Sequence, residues 1–536
     1  MRAAFSEQNK TKLVILLAII EIALLVLSIP YYKLNGDEAW SAEDSYFMSR
    51  KGYSTSNLFS GYIMEDVRVV AQHKLLVYLG AALFGVFHYD LWIFRLIPVC
   101  SFILVMIFFV RYQRKYLLPM VESSSGSARA EADQHRTETL QIFLSVAIVL
   151  AAHEFFYFAK IARPEMLVAL LGFLSFYFLQ KYLGRGEFLL IAAAGFLAGL
   201  AMLAHLNGVI FAATGFVWLL LRKKFSASCV FCIAALVAFL PYILDVYWHY
   251  EIFKIQINSD PNKTHFTLLK PFKNLAREHE RLFRKPEIII PSVLFLFHLV
   301  VGRKKLFTGK IKELTIYTLL LMVFLGLVVE DKTIKYSTYL IPFWGILIAR
   351  SITTMETKNK VVSWTNAVLL SLLFVTGVYW QAASVFEKEN YPPLNREIAG
   401  EIPLHSTCIA PMNFIFNEIA DYKIFSDYLV GYERFGENID VKSLSDCCRK
   451  NRCEYVVFNR YGESWEYIHD YRDTVKLLKN FEVVDANNDF VVLKCKSDSS
   501  NGPTNGNKLA NKATVQHYIS YMQHRAMADG KLTDLR

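Results

Sequence analysis

Long apolar runs separated by short polar segments recur along most of the chain, up to about residue 385. A helix needs about 20 apolar residues to cross ~30 Å of hydrocarbon. The pattern therefore predicts a polytopic α-helical membrane protein with about 11 transmembrane helices. The predicted helices lie at about 12–31, 91–110, 139–158, 164–182, 187–205, 207–222, 227–248, 286–302, 311–329, 336–352 and 361–384.

Composition supports this interpretation. Of the 536 residues, 54% are hydrophobic and 15% aromatic, which is more apolar than a soluble multidomain chain of this length. The net charge of +10 does not indicate nucleic acid, because Lys and Arg cluster in short connections between apolar runs. Such clusters mark the cytoplasmic side of a membrane protein.

The basic clusters predict the orientation of the chain. If the N-terminus is cytoplasmic, alternate connections with basic residues all fall on the cytoplasmic side. These clusters are Arg111/Arg114/Lys115, Lys181/Arg185, Arg222/Lys223/Lys224, Arg303/Lys304/Lys305 and Lys358/Lys360. The first apolar run lacks a small-residue cleavage site, so we expect it to remain as the first helix.

The segment "HKLLVYLGAALFGVFHY", residues 73–89, is apolar but short for a span. Counting it as a span would reverse the orientation of every later loop. We therefore expect an interfacial or re-entrant helix within a first external loop at 32–90. A twelfth span is the alternative.

Three further segments are polar. Residues 119–138 are rich in Ser, Ala and charge, and predict a flexible cytoplasmic linker. Residues 389–496 predict a small extracytoplasmic α/β domain, with strands in "EYVVFN" and "FEVVDANNDFVVLKC" and a helix in "DTVKLLKNF". The tail at 497–536 has the composition of a disordered segment.

Five of the eight cysteines lie in the predicted C-terminal domain: Cys408, Cys447, Cys448, Cys453 and Cys495. An oxidising compartment would allow disulfides there. The spacing in "CCRKNRC" without a nearby His matches zinc sites poorly. We therefore favour a disulfide, with at least one thiol left unpaired because five is odd.

Ionisable residues collect at the predicted external ends of the helices. They are Asp37, Glu38, His73, Lys74, Arg163, Glu165, Asp245, His249, Glu330, Asp331, Lys332 and Lys335. Charges beside lipid are costly and mark functional sites in membrane proteins. The pattern predicts one site built from at least five separated segments.

Six short motifs occur in an order that resembles the GT-C membrane glycosyltransferases. The motifs are "GDEAWSAEDSYFM", "HKLLVYLGAALFG", "FRLIPVCSFIL", "KIARPEMLVALLGFLSFYFL", "GFLAGLAMLAHLNGVIF" and "KYSTYLIPFWGIL". The resemblance is strongest to the branch of the protein O-mannosyltransferases and the lipid A aminoarabinose transferase. It covers roughly residues 10–385 and implies a GT-C-like transmembrane domain at 1–388.

The resemblance implies a reaction. Such enzymes pass a sugar from a polyprenyl phosphate to a hydroxyl of a lipid, glycan or protein on the outer face of the membrane. Asp37 matches the family's proposed general base, with Glu38 beside it in a supporting role. A carboxylate within hydrogen-bond reach can take the proton of an attacking hydroxyl. The alternative is that these acids mark a solvated helix end; Glu43 and Asp44 are expected on the polar side of an interfacial helix.

The resemblance also implies which residues bind the phosphate of the donor. Lys74 matches the Lys of a "KPP" motif, although "HKLLVY" lacks both prolines. Lys335 and Tyr339 match "KxxxYxxP". These side chains would stabilise the leaving phosphate. For Lys335 the alternative is an interfacial anchor whose amine reaches the headgroups.

Further residues are assigned to substrate binding. His73 precedes Lys74, while Arg163 and Glu165 flank Pro164 at a predicted helix start, where relatives commonly have Asp in place of Glu165. Helix capping is the alternative for that pair. Some members of the family that the chain resembles use a divalent metal and others do not. His73, His249, Asp37 and Glu38 are the candidate ligands here, but no recognisable spacing assigns one.

Two other functions compete with a glycosyltransferase. A transporter or flippase of a lipid-linked sugar would also gather internal charges, but would usually carry an internal repeat, and none is evident. A non-catalytic membrane scaffold or sensor is the second alternative. For either enzyme or transporter, we expect a bacterial cytoplasmic membrane.

Overall fold

The structure is a computed structural model of the chain. It describes residues 7–29, 33–60, 63–71, 73–117, 128–258, 269–354, 360–386, 389–427, 441–462, 480–487 and 489–496.

Helices dominate the part that precedes residue 387. They are α1 (Glu7–Ser28), α2 (Gly36–Lys51), α3 (Lys74–Val86), α4 (Leu91–Tyr112), α5 (Ala128–Ala151), α6 (His153–Phe158), α7 (Pro164–Arg185), α8 (Phe188–Ala204), α9 (Val209–Leu221), α10 (Phe225–Trp248), α11 (Tyr250–Asn258), α12 (Lys270–Ala276), α13 (Glu278–Phe283), α14 (Pro286–Val301), α15 (Arg303–Leu306), α16 (Ile311–Val328), α17 (Ile341–Thr354) and α18 (Lys360–Phe386). A helix thus lies in each of the eleven predicted segments.

Five helical stretches in the described residues are long and apolar enough to cross a membrane. They are Leu91–Leu117, Pro164–Arg185, Phe225–Trp248, Ile311–Val328 and Lys360–Phe386. Other apolar helices are shorter, so the count of eleven spans stays a prediction. The chain is an integral membrane protein.

The sequence pattern misplaced several boundaries. α5 already begins at Ala128, so residues 128–138 of the predicted flexible linker are helical. The run at 139–158 is interrupted at Ala152, whose backbone is extended, between α5 and α6. α3 has 13 residues and is therefore about 20 Å long. That length suits an interfacial helix, which stays a prediction.

Small residues let two of the membrane helices approach closely. Gly195 and Gly199 lie one turn apart on α8 and face the backbone of α10. A Cβ at either position would lie 2.1 Å from the carbonyl oxygen of Phe231 or Ala235. The pair is therefore a small-xxx-small contact, the arrangement by which helices pack tightly in lipid.

The C-terminal domain contains a five-stranded sheet with strand order β2-β1-β3-β5-β4. The strands are β1 (Thr407–Ala410), β2 (Lys423–Ser426), β3 (Tyr455–Asn459), β4 (Phe481–Ala486) and β5 (Phe490–Cys495). β1 pairs in parallel with β2 and β3, and β5 pairs antiparallel with β3 and β4. The predicted strands in "EYVVFN" and "FEVVDANNDFVVLKC" are therefore confirmed.

The remaining helices of this domain are α19 (Tyr391–Gly400), α20 (Ile415–Glu418) and α21 (Val441–Asn451). The helix predicted in "DTVKLLKNF" falls almost wholly outside the described residues, as does the tail at 497–536.

The predicted disulfide is not formed at Cys408, Cys448, Cys453 or Cys495, whose thiols are free in the structure. Cys408, Cys447, Cys448 and Cys453 are buried in the apolar core of the C-terminal domain. A buried free cysteine packs as a small hydrophobic residue. These thiols therefore contribute to the core as apolar groups.

The C-terminal domain packs against the segment that follows α1. The Ser426 N–H donates to the carbonyl oxygen of Leu58 at 3.0 Å. The Phe416 ring stacks on Tyr89 with centroids 5.7 Å apart. The domain and the predicted first external loop thus lie on the same side of the helical part.

Candidate active site

The start of α2 presents Asp37 to solvent. Asn35 caps the helix: its side chain accepts from the Asp37 N–H at 3.1 Å, and Glu38 accepts from the Asn35 N–H at 3.1 Å, which completes a capping box. A carboxylate in the first turn is stabilised by the helix N-terminus. The Asp37 side chain is 53% exposed, so it is accessible to a ligand.

Glu38 faces the protein interior. Its carboxylate is fully buried and accepts two hydrogen bonds from Arg95 on α4, at 2.8 and 2.7 Å. It also accepts from the Ala162 N–H at 2.7 Å. Glu38 therefore ties α2 to α4 and to the segment just before α7.

That segment places Arg163 beside Asp37. The Arg163 Nε and Nη2 atoms donate to the buried carboxylate of Glu165, at 3.2 and 3.0 Å. The remaining Nη1 contacts the Asp37 carboxylate. Glu165 thus fixes the guanidinium so that one nitrogen points at Asp37, which is more than a capping role.

Two histidines lie next to this group. The His73 ring, just before α3, stacks on His205 with centroids 4.6 Å apart, and His205 meets Tyr336 edge-on at 5.6 Å. Burial lowers the pKa of His73 to about 4, while nearby Glu165 opposes that shift. His73 is therefore neutral near pH 7 and can donate or accept a hydrogen bond.

Lys335 and Tyr339 follow from a 3-10 turn, Ile334–Tyr339, before α17. The Lys335 Nζ lies 5.1 Å from the Tyr336 ring centroid and 3.7 Å from Asp331, at a partly exposed position. The Tyr339 hydroxyl is buried and has no hydrogen-bond partner in the described part of the chain.

Lys74 lies in a different network. Its Nζ is buried, 2.5 Å from an Asp245 oxygen on α10, and donates to the Val69 carbonyl at 2.9 Å. Arg68 and His249 contact the same Asp245 carboxylate at 2.8 and 3.1 Å. Lys74 is therefore neutralised and holds the loop that leads to His73.

A polar cleft of about 450 Å³ adjoins Lys335. Its lining combines acids, bases and aromatic side chains, among them Glu154, Tyr157, Arg284, Lys285 and Glu287. Such a mixture offers donors and acceptors in many directions, which suits a polyhydroxylated or charged ligand.

No group of three or more His, Cys, Asp or Glu side chains in the described residues could hold a metal ion. His249 contacts Asp245 and lies in the Lys74 network, apart from the Asp37 group. The structure thus assigns no ligand set for a metal.

The structure brings together most of the residues predicted from sequence. Asp37, Arg163, Glu165, His73 and Lys335 form one group, since the first three and Lys335 all act electrostatically on His73. The sequence pattern assigned no role to Arg95, although a charge within an apolar run is a usable signal. The pairing of Arg95 with Glu38, 57 positions away, had no signal in the sequence.

Glu43 and Asp44 correct another expectation, because both are buried rather than on a polar face. Glu43 accepts from the Ser56 hydroxyl at 2.6 Å and from the Asn57 N–H at 2.9 Å. The loop after α2 folds back over these acids, a long-range contact that helical periodicity does not encode.

Comparisons with known proteins identify the fold. No family model and no curated protein sequence matches the chain. ArnT from Cupriavidus metallidurans bound to undecaprenyl phosphate superposes with a TM-score of 0.59 and 14% identity, covering 92% of this chain and 100% of ArnT. Its apo state gives 0.57 at 14% identity, over 92% and 99%.

A third solved structure agrees. The archaeal oligosaccharyltransferase AglB from Archaeoglobus fulgidus, in complex with an inhibitory peptide and a dolichol-phosphate, gives a TM-score of 0.50 at 11% identity, over 90% of this chain and 73% of AglB. ArnT and AglB are GT-C glycosyltransferases. The predicted GT-C fold is therefore confirmed, and at this identity the likeness is one of fold.

Proposed function

We propose that this GT-C-fold chain is a membrane glycosyltransferase that moves a sugar from a polyprenyl-phosphate donor to a hydroxyl of a lipid, glycan or protein. Two neighbours of the same fold hold such carriers, undecaprenyl phosphate in ArnT and dolichol-phosphate in AglB. We place the reaction on the outer face of a bacterial cytoplasmic membrane, with the N-terminus in the cytoplasm and the C-terminal domain outside.

The observation that carries this proposal is the contact between Asp37 and Arg163. Asp37 is an exposed carboxylate, and Arg163 is locked by the buried Glu165 so that one nitrogen remains for Asp37 or a ligand. A solvated helix end needs no such support. Preorganised charge of this kind is the usual basis of electrostatic catalysis.

In the proposed reaction the acceptor hydroxyl attacks the anomeric carbon of the donor sugar. A new C–O bond forms as the bond from that carbon to the phosphate oxygen breaks, and the phosphate leaves with the electron pair. Asp37 takes the hydroxyl proton as general base. A single displacement inverts the anomeric configuration.

The leaving phosphate gains negative charge and needs donors. Arg163 Nη1 and Lys335 Nζ are the cations of the group that are not wholly buried in ion pairs. The unpartnered hydroxyl of Tyr339 and the neutral ring of His73 would add hydrogen bonds.

Two residues receive revised roles in this proposal. Lys74 is committed to Asp245, so it would hold the loop before α3 rather than bind phosphate directly. Glu38 is committed to Arg95 and Ala162, so it would be a positioning residue for the segment that carries Arg163.

The proposal is tested with Asp37→Asn in the purified full chain. Mass spectrometry of cell-envelope lipids, glycans and proteins with and without the chain first identifies the molecule that gains a sugar. Transfer to that molecule from undecaprenyl-phosphate-linked sugar is then assayed. We expect Asp37→Asn to lower the rate by about 10²–10⁴, the usual contribution of a general base.

Asp66→Asn is the matched control, because Asp66 is an exposed acid in the same loop. It should retain the wild-type rate. An unchanged rate in Asp37→Asn would refute Asp37 as the base. Movement of the lipid-linked sugar across vesicles without any transfer would instead support a flippase.

A further inference from the structure

A second cavity lies far from Asp37, at the ends of α16 and α17 that are remote from the loop carrying Lys335. It has a volume of about 350 Å³ and is lined in part by Tyr116, Lys305, Lys310 and Arg350. None of these residues belongs to the group around Asp37.

The position of this cavity follows from two helices that connect the two sites. α16 begins at Ile311 on the cavity and runs to Val328, close to the loop that carries Lys335. α17 returns from Ile341 beside Tyr339 to Thr354 on the cavity. An 18-residue helix is about 27 Å long. The cavity therefore lies about one helix length from the loop that carries Lys335, at the opposite end of α16.

The cavity is basic. Lys305 lies on α15, Lys310 immediately precedes α16, and Arg350 lies on α17, so three separate elements each contribute a cation. No carboxylate is among its described lining residues. Within the described chain, Lys305 and Lys310 make no ion pair. Arg350 donates a hydrogen bond to Gln141 at 3.0 Å and also interacts electrostatically with Glu138 on α5.

The local backbone gathers these charges. Gly309 has φ of +56°, the left-handed region that glycine tolerates best, and it turns the chain between Lys305 and Lys310. The Tyr116 hydroxyl is buried without a hydrogen-bond partner in the described residues. The cavity thus combines three cations with an unused hydroxyl donor.

We propose that this cavity binds a phosphate group, supplied by the headgroup of an anionic phospholipid in the leaflet opposite the Asp37 site. The cavity lies where apolar α16 begins and α17 ends, which is the expected depth of lipid headgroups. Basic pockets between helix ends on the cytoplasmic side bind such headgroups. A bound lipid would anchor α16 and α17, the helices that connect to Lys335. The inference does not depend on the proposed sugar transfer.

The test uses the full chain in vesicles of phosphatidylcholine and phosphatidylglycerol. Native mass spectrometry of the released protein counts the lipids that remain bound. We expect Lys305→Gln/Lys310→Gln to lower retention of phosphatidylglycerol about twenty-five-fold, because each lost cation should cost about five-fold. Retention of phosphatidylcholine should not change, and Arg350→Gln alone should give about a five-fold loss.

Arg303→Gln/Lys304→Gln is the matched control. These exposed cations lie on α15 beside Lys305 but outside the cavity lining. The double substitution removes the same net charge as the cavity variant. An equal loss in the control, or no loss in the cavity variant, would overturn the proposal. Circular dichroism of each variant verifies folding.

Titration with inorganic phosphate separates the two possible sources of the phosphate group. If phosphatidylglycerol is retained in the presence of excess inorganic phosphate, the lipid assignment stands. If inorganic phosphate displaces it and binds the lipid-free protein in detergent, the site serves a soluble anion and the lipid assignment is overturned.

Discussion

Asp37 and Glu38 are adjacent in the chain, but their carboxylates lie in opposite environments. The Asp37 side chain is 53% exposed and contacts Arg163, whereas Glu38 is fully buried and paired with Arg95. Because consecutive side chains on a helix diverge by about 100°, one carboxylate faces the site and the other faces the core. Substitution of Asp37 should therefore affect activity, whereas substitution of Glu38 should affect stability.

Glu38→Gln should destabilise the protein by about 3–5 kcal/mol, because it leaves Arg95 buried without its counter-charge. Asp37→Asn should leave the thermal unfolding midpoint almost unchanged. Unfolding in detergent, followed by tryptophan fluorescence, measures both. Glu38→Leu/Arg95→Met should recover part of the loss, since the buried charges are removed together. Equal midpoints for Glu38→Gln and wild type would contradict the positioning role.

Arg163→Lys should lower the transfer rate about a hundred-fold while retaining the positive charge. Lysine lacks the planar fork that contacts Glu165 and Asp37 at once. Small errors in the placement of a catalytic group cost about this much. Arg185→Lys, an exposed arginine at the far end of α7, is the control and should be active. A fully active Arg163→Lys would show that charge alone suffices.

Lys74→Met and Lys335→Met separate a structural cation from a ligand-binding one. Lys74→Met should lower the unfolding midpoint, because Asp245 loses a buried partner, while the Kd for undecaprenyl phosphate changes little. Lys335→Met should raise that Kd about ten-fold or more at an unchanged midpoint, since a charge-assisted hydrogen bond contributes about 1.5–3 kcal/mol. The reverse pattern would restore Lys74 as the phosphate ligand.

Tyr339→Phe should be neutral or slightly stabilising for the free protein. The hydroxyl has no partner among the described residues, so its removal relieves an unsatisfied buried donor. If the hydroxyl contacts the donor phosphate, the same change should weaken binding of undecaprenyl phosphate about five- to ten-fold. A lower unfolding midpoint with unchanged binding would mean that the hydroxyl is structural. Tyr461→Phe, in the C-terminal domain, provides the comparison.

Glu43 should make stability depend on pH. Burial raises its pKa from 4.5 to about 7, even though Ser56 and two backbone N–H groups favour the charged form. The folded state binds this proton more tightly than the unfolded state. Protonation of Glu43 therefore contributes about 3 kcal/mol to the free energy of unfolding. This contribution is fully present below pH 4.5 and is lost as pH rises through 7. Glu43→Gln should flatten the fall in the unfolding midpoint between pH 4.5 and 7. An unchanged slope would show that Glu43 does not titrate there.

Much of the site could be anticipated from the chain. Asp37, His73, Arg163, Glu165 and Lys335 were expected on one face, and they form one group in the structure. The reason is physical: a charge is costly inside the lipid, so a charged residue that follows an apolar run is expected at a helix end on a defined side of the membrane.

Other expectations needed the tertiary structure. Lys74 was expected at the donor phosphate, but its partner Asp245 lies more than 170 positions later, on a helix that packs nearby only in the fold. Glu43 and Asp44 look solvated in the sequence because helical periodicity does not reveal the loop that covers them. The cysteines of the C-terminal domain suggested a disulfide, but Cys408, Cys448 and Cys453 are free thiols in its core.

The sequence by itself determined the helical, membrane-integral character of the chain, the polar C-terminal domain and the set of charges at helix ends, because each follows from local hydropathy along the chain. The tertiary structure decided which charges are paired and buried and which face a ligand. That distinction depends on contacts between residues far apart in sequence, whose energies change with burial and with distances of a few ångströms. Asp37 is a candidate base, and Glu38 is not, for this reason.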